Sequence, residues 1–540
     1  MTKLNLKNIF LLTILNLIII SSKKYDVVII GLGSAGETYA WKLDQFADKD
    51  IYIIDHSDDE INNPDLKLID ANSLFTVKTG QHNPLTVFFS REQLRSDVEY
   101  RQAKGLGGIL QVGSASYIKP SLVELEFWKN NFSDVLGIWN YSYIDQGLRN
   151  IENFSDPSHP NRTISPNRGI SGPIKFLKNN AINDSSLNDI NLKFMDYFNV
   201  TYIPDANANE GSRIGITEFD RAYGHNPDIP VQNSIYKNYL KNNTNITISS
   251  LSTVVAIKFK VNHHLDTIKA TEVHYLEGGE CKIVKLKKDG WVVLAAGIMT
   301  PLILEKSGIG NCSHLEELGI DCIYDNVYVG ENWRDHPILQ MQYSGAGFED
   351  KNSARMNLFY RSPAKPGLYE LQDSIIAYLT VRTGSGTPSL FILANNVELN
   401  TTGSIHIQKS DPLYVPLLNL NYSTQGFDGD HYVWMFRTIR QIFADLNITE
   451  VSPGLASIPN SISDTSLKSR LLGLLTTNWH GSGTATFPQV TNETNGRVNG
   501  IKNLYVIDAS FHKFTARQNP NGLIRGIAYK MAEIHHDIYS

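Results

Sequence analysis

Residues 25–55 carry the feature that most narrows the fold. Tyr25-Asp26-Val27-Val28-Ile29-Ile30 is a short β-branched run of the buried-strand type. It ends in Gly31-Leu32-Gly33-Ser34-Ala35-Gly36, and Glu37 to Phe46 then reads as a helix. A second apolar strand, Ile51-Tyr52-Ile53-Ile54, closes on Asp55. This order is the dinucleotide-binding fingerprint. Gly31 permits the tight turn, Gly33 lets the backbone approach a pyrophosphate, and Gly36 lets the helix pack close to the strand. The helix start offers free N–H groups to phosphate oxygens. Asp55 stands where a carboxylate accepts from adenosine ribose hydroxyls. A glycine loop serving chain reversal alone has no need of that acid. The fingerprint leaves NAD and FAD both open.

Later segments decide between them. Arg101-Gln102-Ala103-Lys104-Gly105-Leu106-Gly107-Gly108 is a glycine cluster beside two cations. Trp291-Val292-Val293-Leu294-Ala295-Ala296-Gly297 is another buried-strand run, leading through Thr300-Pro301 to Ser307-Gly308-Ile309-Gly310 and then to Asp335-His336-Pro337. Towards the C-terminus stand Trp479-His480-Gly481-Ser482-Gly483-Thr484, Tyr505-Val506-Ile507-Asp508-Ala509-Ser510 and Asn519-Pro520-Asn521, followed by a helical pattern from Leu523 to about Ile534. In this order and spacing the chain resembles the glucose–methanol–choline (GMC) flavin oxidoreductases, from about Tyr25 to its end. The resemblance implies an α/β fold (α+β overall): a Rossmann-like FAD-binding domain and a discontinuous substrate domain built on an antiparallel sheet. Expected boundaries are 25–84, 107–310 and 459–540 for the FAD-binding domain, and 85–106 and 311–458 for the substrate domain.

Residue by residue, the resemblance implies that Gly31, Gly33, Ser34, Ala35 and Gly36 hold the FAD pyrophosphate and that Asp55 holds the ribose. It also implies that Gly107 and Gly108 line the cofactor, that the strand at Val254 meets adenine, and that Asp508 and Ala509 lie beside the ribityl chain. His480 and Asn519 match the two side chains that face flavin N5. The chain departs from the family pattern in places. The ribose acid is Asp55 where Glu is usual. After Gly108 the sequence continues Ile109-Leu110-Gln111-Val112-Gly113, an apolar wall where a polar one is usual. Val112 occupies the place where some members carry a flavin-linking histidine, so no covalent link is expected. Lys513 replaces a usual proline, and His336 reads as structural. His512, His535 and His536 read as solvated.

Such a site implies alcohol oxidation: His480 accepts the hydroxyl proton, Asn519 orients the oxygen, and the hydride passes to FAD. Neutral imidazole suits the base role because its ordinary pKa of ~6.5 lies near working pH. The alternative readings on the same scaffold are a hydroxynitrile-lyase-like reaction or another non-oxidative flavoprotein such as a photodecarboxylase. The expected partner is a small alcohol-type molecule, and no motif names the electron acceptor.

Composition removes other classes. Forty-nine basic residues against fifty-five acidic leave a net charge of −6, which gives no basic surplus for nucleic acid. No GxSxG elbow of a serine hydrolase is present. Cys281, Cys312 and Cys322 allow at most one disulfide and form no CxxC pair, and His263-His264 lacks a second ligand pair, so no metal site is expected. Residues 1–22 have Lys3 and Lys7 ahead of an apolar run from Ile9 to Ile20 and then Ser21-Ser22. They read as a signal peptide, with an uncleaved anchor or a buried helix as the competing readings. No later stretch is long and apolar enough to span a bilayer. Thirteen Asn-X-Ser/Thr sequons are present: Asn131, Asn140, Asn153, Asn161, Asn183, Asn199, Asn242, Asn245, Asn311, Asn400, Asn421, Asn447 and Asn492. From 48 asparagines, chance gives roughly seven. A secreted glycoprotein is the expectation.

Overall fold

The computed structural model describes residues 19–57, 85–89, 98–103, 105–108, 116–132, 140–156, 163–178, 185–208, 213–218, 220–222, 233–344, 348, 355–363, 374–382, 388–398, 402–414, 416–422 and 426–540. The Ile109–Gly113 wall, Val112, Lys104 and residues 1–18 of the leader lie outside these.

Two seven-stranded sheets organise the chain. In the first, the strand Ile19–Ile30 sits at the centre. It pairs in parallel with Ile51–Ile54 on one side and with Glu280–Leu294 on the other. Ile246–Ser249 extends the sheet beyond Ile51–Ile54. The long strand Glu280–Leu294 has two roles: its start pairs antiparallel with Thr267–Glu277, and its end pairs in parallel with Leu504–Val506. The apolar runs form these strands because both faces are covered: Val27, Val28, Ile29, Val292, Val293 and Leu294 are wholly buried in one core. Ile19 and Ile20 pair with Lys282 and Ile283, so the first strand begins inside the expected leader. Cleavage near Ser22 would shorten that strand without touching the pairs from Val27 onward.

The second sheet is antiparallel, in the order Thr449–Ser452, Pro337–Ser344, Pro388–Asn396, Ser374–Arg382, Arg355–Tyr360, Gly215–Glu218, with Thr476–Thr477 also paired to Pro337–Ser344. One face carries Leu339, Met341, Met356, Leu358, Tyr378 and Ile392 against the helix Gly426–Asp445, making a separate core. Two strands cross the expected boundaries. Gly215–Glu218 and Thr476–Thr477 belong to this sheet, although both fall inside the stretches expected for the FAD-binding domain. Such short segments bear no local mark of the sheet they join; backbone pairing alone assigns them.

The C-terminal helix, Asn521–Tyr539, starts earlier and ends later than its apolar pattern suggests. It docks on the helix Ser34–Asp44 through a fully buried ion pair, Arg525 Nη2 to Glu37 Oε1 at 2.6 Å. Arg525 also donates to Asn521 Oδ1 and Thr38 Oγ1, and the Tyr236 N–H donates to Glu37 Oε2. Burial raises the Glu37 pKa, and the nearby guanidinium opposes that rise. Removing one partner of such a pair typically costs about 3–5 kcal/mol.

His512 and His535 are buried, not solvated, while His536 is half-buried. His535 bridges Tyr39 and the Asn495 carbonyl oxygen at 2.8 Å each. Periodicity in the last helix puts His535 on the inward stripe, and burial lowers its pKa to about 4. The unfolded chain, with an ordinary imidazole, therefore binds the proton first. The stability this group contributes is complete above pH ~6.5 and is lost as pH falls towards 4. Between pH 7 and pH 5, His535→Gln should lose about 2 kcal/mol less stability than the wild type. Urea midpoints of both proteins at the two pH values check this; equal losses would refute it.

Candidate active site

The glycines of the first turn are placed by steric need. Gly31 has φ +103°, and a Cβ there would lie 2.4 Å from the Ala295 carbonyl oxygen. At Gly36 a Cβ would lie 2.0 Å from the Gly31 oxygen, which is the close helix–turn contact the motif calls for. Gly33 differs: its nearest neighbour beyond the adjoining chain is the Gly108 Cα at 4.0 Å. Gly107 (φ +99°) donates to the Leu32 oxygen at 2.9 Å, and a Cβ on Gly108 (φ +68°) would lie 2.7 Å from the Gly33 Cα. The two glycine loops thus close on each other. Ser34 and Ala35 open the helix, and the Ser34 hydroxyl accepts from the Asn521 amide at 2.9 Å.

Asp55 is buried at the end of the second strand. Its carboxylate accepts from the N–H groups of Leu32 (2.5 Å) and Ser57 (2.8 Å). Each oxygen keeps a lone pair, the capacity a ribose diol requires. The Ser252 N–H donates to the Asp55 carbonyl oxygen, so the strand Ser252–Asn262 starts beside this acid. Val254 is buried two residues further on. Asp508 is tied up within the fold. It accepts from the Gly297 and Ser510 N–H groups and from the Thr300 and Ser510 hydroxyls. With four donors on it, the carboxylate caps the turn Ala509–Phe511 and pins the Gly297 loop. Burial raises its pKa against those hydrogen bonds. Ala509 accepts from the Gly483 N–H, which joins this turn to the His480 segment.

His480 and Asn519 come together from positions 39 residues apart, with His480 Nε2 and Asn519 Nδ2 separated by 3.5 Å. Asn519 Oδ1 accepts from the Asn521 N–H at the start of the last helix, which holds the side chain in place. His480 Nδ1 meets His336 Nδ1 at 2.8 Å, the two rings nearly perpendicular. His336 therefore belongs to the site, a role its sequence context did not signal. Burial lowers the His336 pKa to about 4, so it is neutral at working pH. With the proton of His480 on Nδ1, His336 accepts it, and the unprotonated Nε2 of His480 is the nitrogen turned towards Asn519.

Beneath both histidines lies Asp335, which is wholly buried. One oxygen accepts from the backbone N–H groups of His336 (2.7 Å) and His480 (2.8 Å). The other accepts from Tyr422 Oη (2.7 Å) and the Thr477 hydroxyl. One carboxylate thus locks two chain segments, and burial raises its pKa against those hydrogen bonds. Trp479 sits at φ +58°, a conformation rare outside glycine. It turns the chain so that the Gly481 N–H reaches Tyr100 Oη at 3.0 Å.

Gly33, Gly108, Ala296, Gly297, His480 and Asn519 are half-buried although their neighbours Leu32, Ala295, Ile298, Ser482 and Gln518 are buried. Each keeps some exposure where its neighbours keep little, and the open space above Gly33 suits a pyrophosphate. Comparison with known sequences decides the family. Residues 25–338 and 400–528 match the GMC oxidoreductase family models. The chain belongs to the GMC oxidoreductase family.

Relatives within reach include the oxygen-dependent choline dehydrogenase 1 of Chromohalobacter salexigens, 24% identical with 95% of each chain covered. The oxygen-dependent choline dehydrogenase of Staphylococcus haemolyticus is also 24% identical, over 95% of this chain and 94% of that protein. Among solved structures, pyridoxine 4-oxidase from Mesorbium loti matches with a TM-score of 0.78 at 18% identity, covering 95% of this chain and 99% of that one. Formate oxidase matches at 0.80 and 19%, over 96% and 99%; these likenesses show the fold. This GMC oxidoreductase is an FAD-dependent enzyme. Gly31, Gly33, Ser34, Ala35, Gly36, Asp55, Gly107 and Gly108 form a cradle that fits FAD, with Val254, Asp508 and Ala509 on its flanks. Among the described residues no cluster of His, Cys, Asp or Glu could hold a metal ion.

Proposed function

We propose that this GMC oxidoreductase oxidises a CH–OH group of a small alcohol, with His480 as the base. The observation that carries this reading is the 3.5 Å approach of His480 Nε2 to Asn519 Nδ2 at the cofactor cleft, with Nδ1 held by His336. An alcohol oxygen between the two groups donates its proton to His480 and accepts from the Asn519 amide. His480 then holds that proton as an imidazolium, still donating through Nδ1 to a neutral neighbour. FAD, when bound, supplies the acceptor for the α-hydride. The relatives above are dehydrogenases and oxidases, which supports oxidation over the cyanohydrin lyase and the photodecarboxylase. Anaerobic mixing of the yellow protein with a panel of primary alcohols should bleach the flavin band. Cyanide release from a cyanohydrin without bleaching by any alcohol would replace this reading.

The proposal includes entry into a secretory lumen. The disulfide Cys312–Cys322 supports it, since disulfides persist in oxidising compartments. The sequon asparagines Asn199, Asn242, Asn245, Asn311 and Asn447 are exposed, where an N-glycan has room. In a eukaryotic host the protein should gain gel mobility after enzymatic deglycosylation. No change, in protein that still carries its first 22 residues, would count against the secretory route.

A further inference from the structure

Resting on that reading, we infer that the alcohol carries no positive charge and is predominantly apolar, and that a choline-like quaternary ammonium is a poor ligand of this site. The inference comes from the second sheet. The face turned away from the outer core carries Ile338, Ala377, Leu379 and Leu393, a small cluster separate from both main cores, with Phe391 half-buried against it. This face abuts the reacting pair in two places. His336, which holds His480, lies two residues before Ile338 on the same extended segment. Asn395, level with Ile338 in the sheet, accepts from the Asn478 amide at 3.0 Å, two residues before His480. A substrate reaching His480 Nε2 from the cleft meets this face.

Among the described strands, register places one ionisable residue on it, Arg355 level with Leu379, and a basic residue gives an ammonium no counter-charge. The buried carboxylate nearest the histidines, Asp335, already accepts from four donors inside the protein. It has no free edge to offer an ammonium. An aromatic cage is absent from the described face as well. Phe359 and Phe391 are two strands apart, with four further residues between their rows, about 17 Å by sheet spacing. That is beyond the ~6 Å reach of a cation–π contact. Trp479 packs against the outer core. A quaternary ammonium here would lose its hydration without compensation, whereas methyl and methylene groups gain by contact with leucine and isoleucine. Asn357 adds a polar group to those of Asn395, Gln340 and Thr217 on the same rows. It is wholly buried on this face beside Ala377, and neither amide atom has a partner. Its amide suits an uncharged hydroxyl, ether or carbonyl.

The test uses a matched pair of probes. 3,3-Dimethylbutan-1-ol has the shape of choline with carbon in place of the charged nitrogen. In anaerobic stopped-flow titrations of the FAD-loaded protein, it should half-saturate flavin reduction at a concentration at least ~100-fold below that of choline. Equal or tighter saturation by choline would overturn the inference and leave alcohol oxidation standing. If neither alcohol bleaches the flavin, perturbation of the flavin absorbance by each alcohol still ranks their binding. The wider alcohol panel then decides the oxidation reading, while the ranking decides this one. Ile338→Glu, which puts a carboxylate on the face, should narrow the preference at least ~10-fold. Leu393→Ala should weaken the neutral isostere by ~10-fold and leave choline nearly unmoved. A preference unchanged in whichever of these variants folds would show that the substrate does not touch this face.

Discussion

His480→Ala should lower the rate of flavin reduction by an alcohol at least ~100-fold, about 2.7 kcal/mol in the barrier, while FAD stays bound. The chemical effect is large because the variant removes the imidazole nitrogen that meets Asn519. The cofactor cradle is built from Gly31–Gly36, Asp55, Gly107 and Gly108, none of which the side chain of His480 supports. The pH profile carries a second test. Wild-type reduction should rise with pH through a single ionisation that His480→Ala abolishes. His336 does not confuse that reading, because burial holds its own titration down near pH 4. Asn519→Ala should slow reduction by less, since it removes an orienting hydrogen bond and leaves the base. The double variant should fall short of the sum, because both groups hold one substrate oxygen. Stopped-flow reduction across pH 5 to 9 measures all of this. A His480→Ala protein with an unchanged rate and profile would assign the base elsewhere.

Gly33→Ala should abolish FAD retention at micromolar concentrations and leave the fold intact. A Cβ at this position meets no protein atom closer than 4.0 Å, so the chain accepts it. It fills the space left for the pyrophosphate, and the lost backbone approach should weaken binding by more than ~100-fold. Gly36→Ala makes the contrast. There the Cβ would lie 2.0 Å from the Gly31 oxygen, so the turn and helix must separate and folding itself should fail. Absorbance at the flavin band and far-ultraviolet circular dichroism separate the two outcomes. A yellow Gly33→Ala protein would show that the phosphates lie elsewhere. In the wild type, denaturation should release FAD without proteolysis, since Val112 cannot form a histidyl link.

The cofactor half of the site was legible in the sequence because its signals are local. A strand, three glycines, a helix and an acid within 31 residues have one low-energy arrangement, and the structure reproduces it down to the steric need at Gly31 and Gly36. His480 and Asn519 were legible through their flanking glycine and Asn-Pro-Asn signatures. His336 and Asp335 were not. Each is one residue in a loop leading into a strand, and its role exists only because Thr477–His480 folds back beside Asp335-His336-Pro337. The burial of His535 was readable in principle from the inward stripe of the last helix, whereas that of His512 follows a turn capped by Asp508. The strands Gly215–Glu218 and Thr476–Thr477 are too short to declare which sheet they complete.

By itself, then, the sequence determined the nucleotide-binding turn, since backbone geometry and steric demand act over a few neighbouring residues, while the cofactor class and the expectation of His480 and Asn519 as a pair came from its resemblance to the family. Tertiary structure alone decided which groups surround those side chains and which distant residues share one face of the second sheet. Asp335 becomes a shared acceptor, His336 a neutral partner, and Ile338, Leu379 and Leu393 one apolar face only when strands distant in the chain pair in register. Burial sets the charge of the histidine beside the base, and burial is a property of the packed chain, which no single segment possesses.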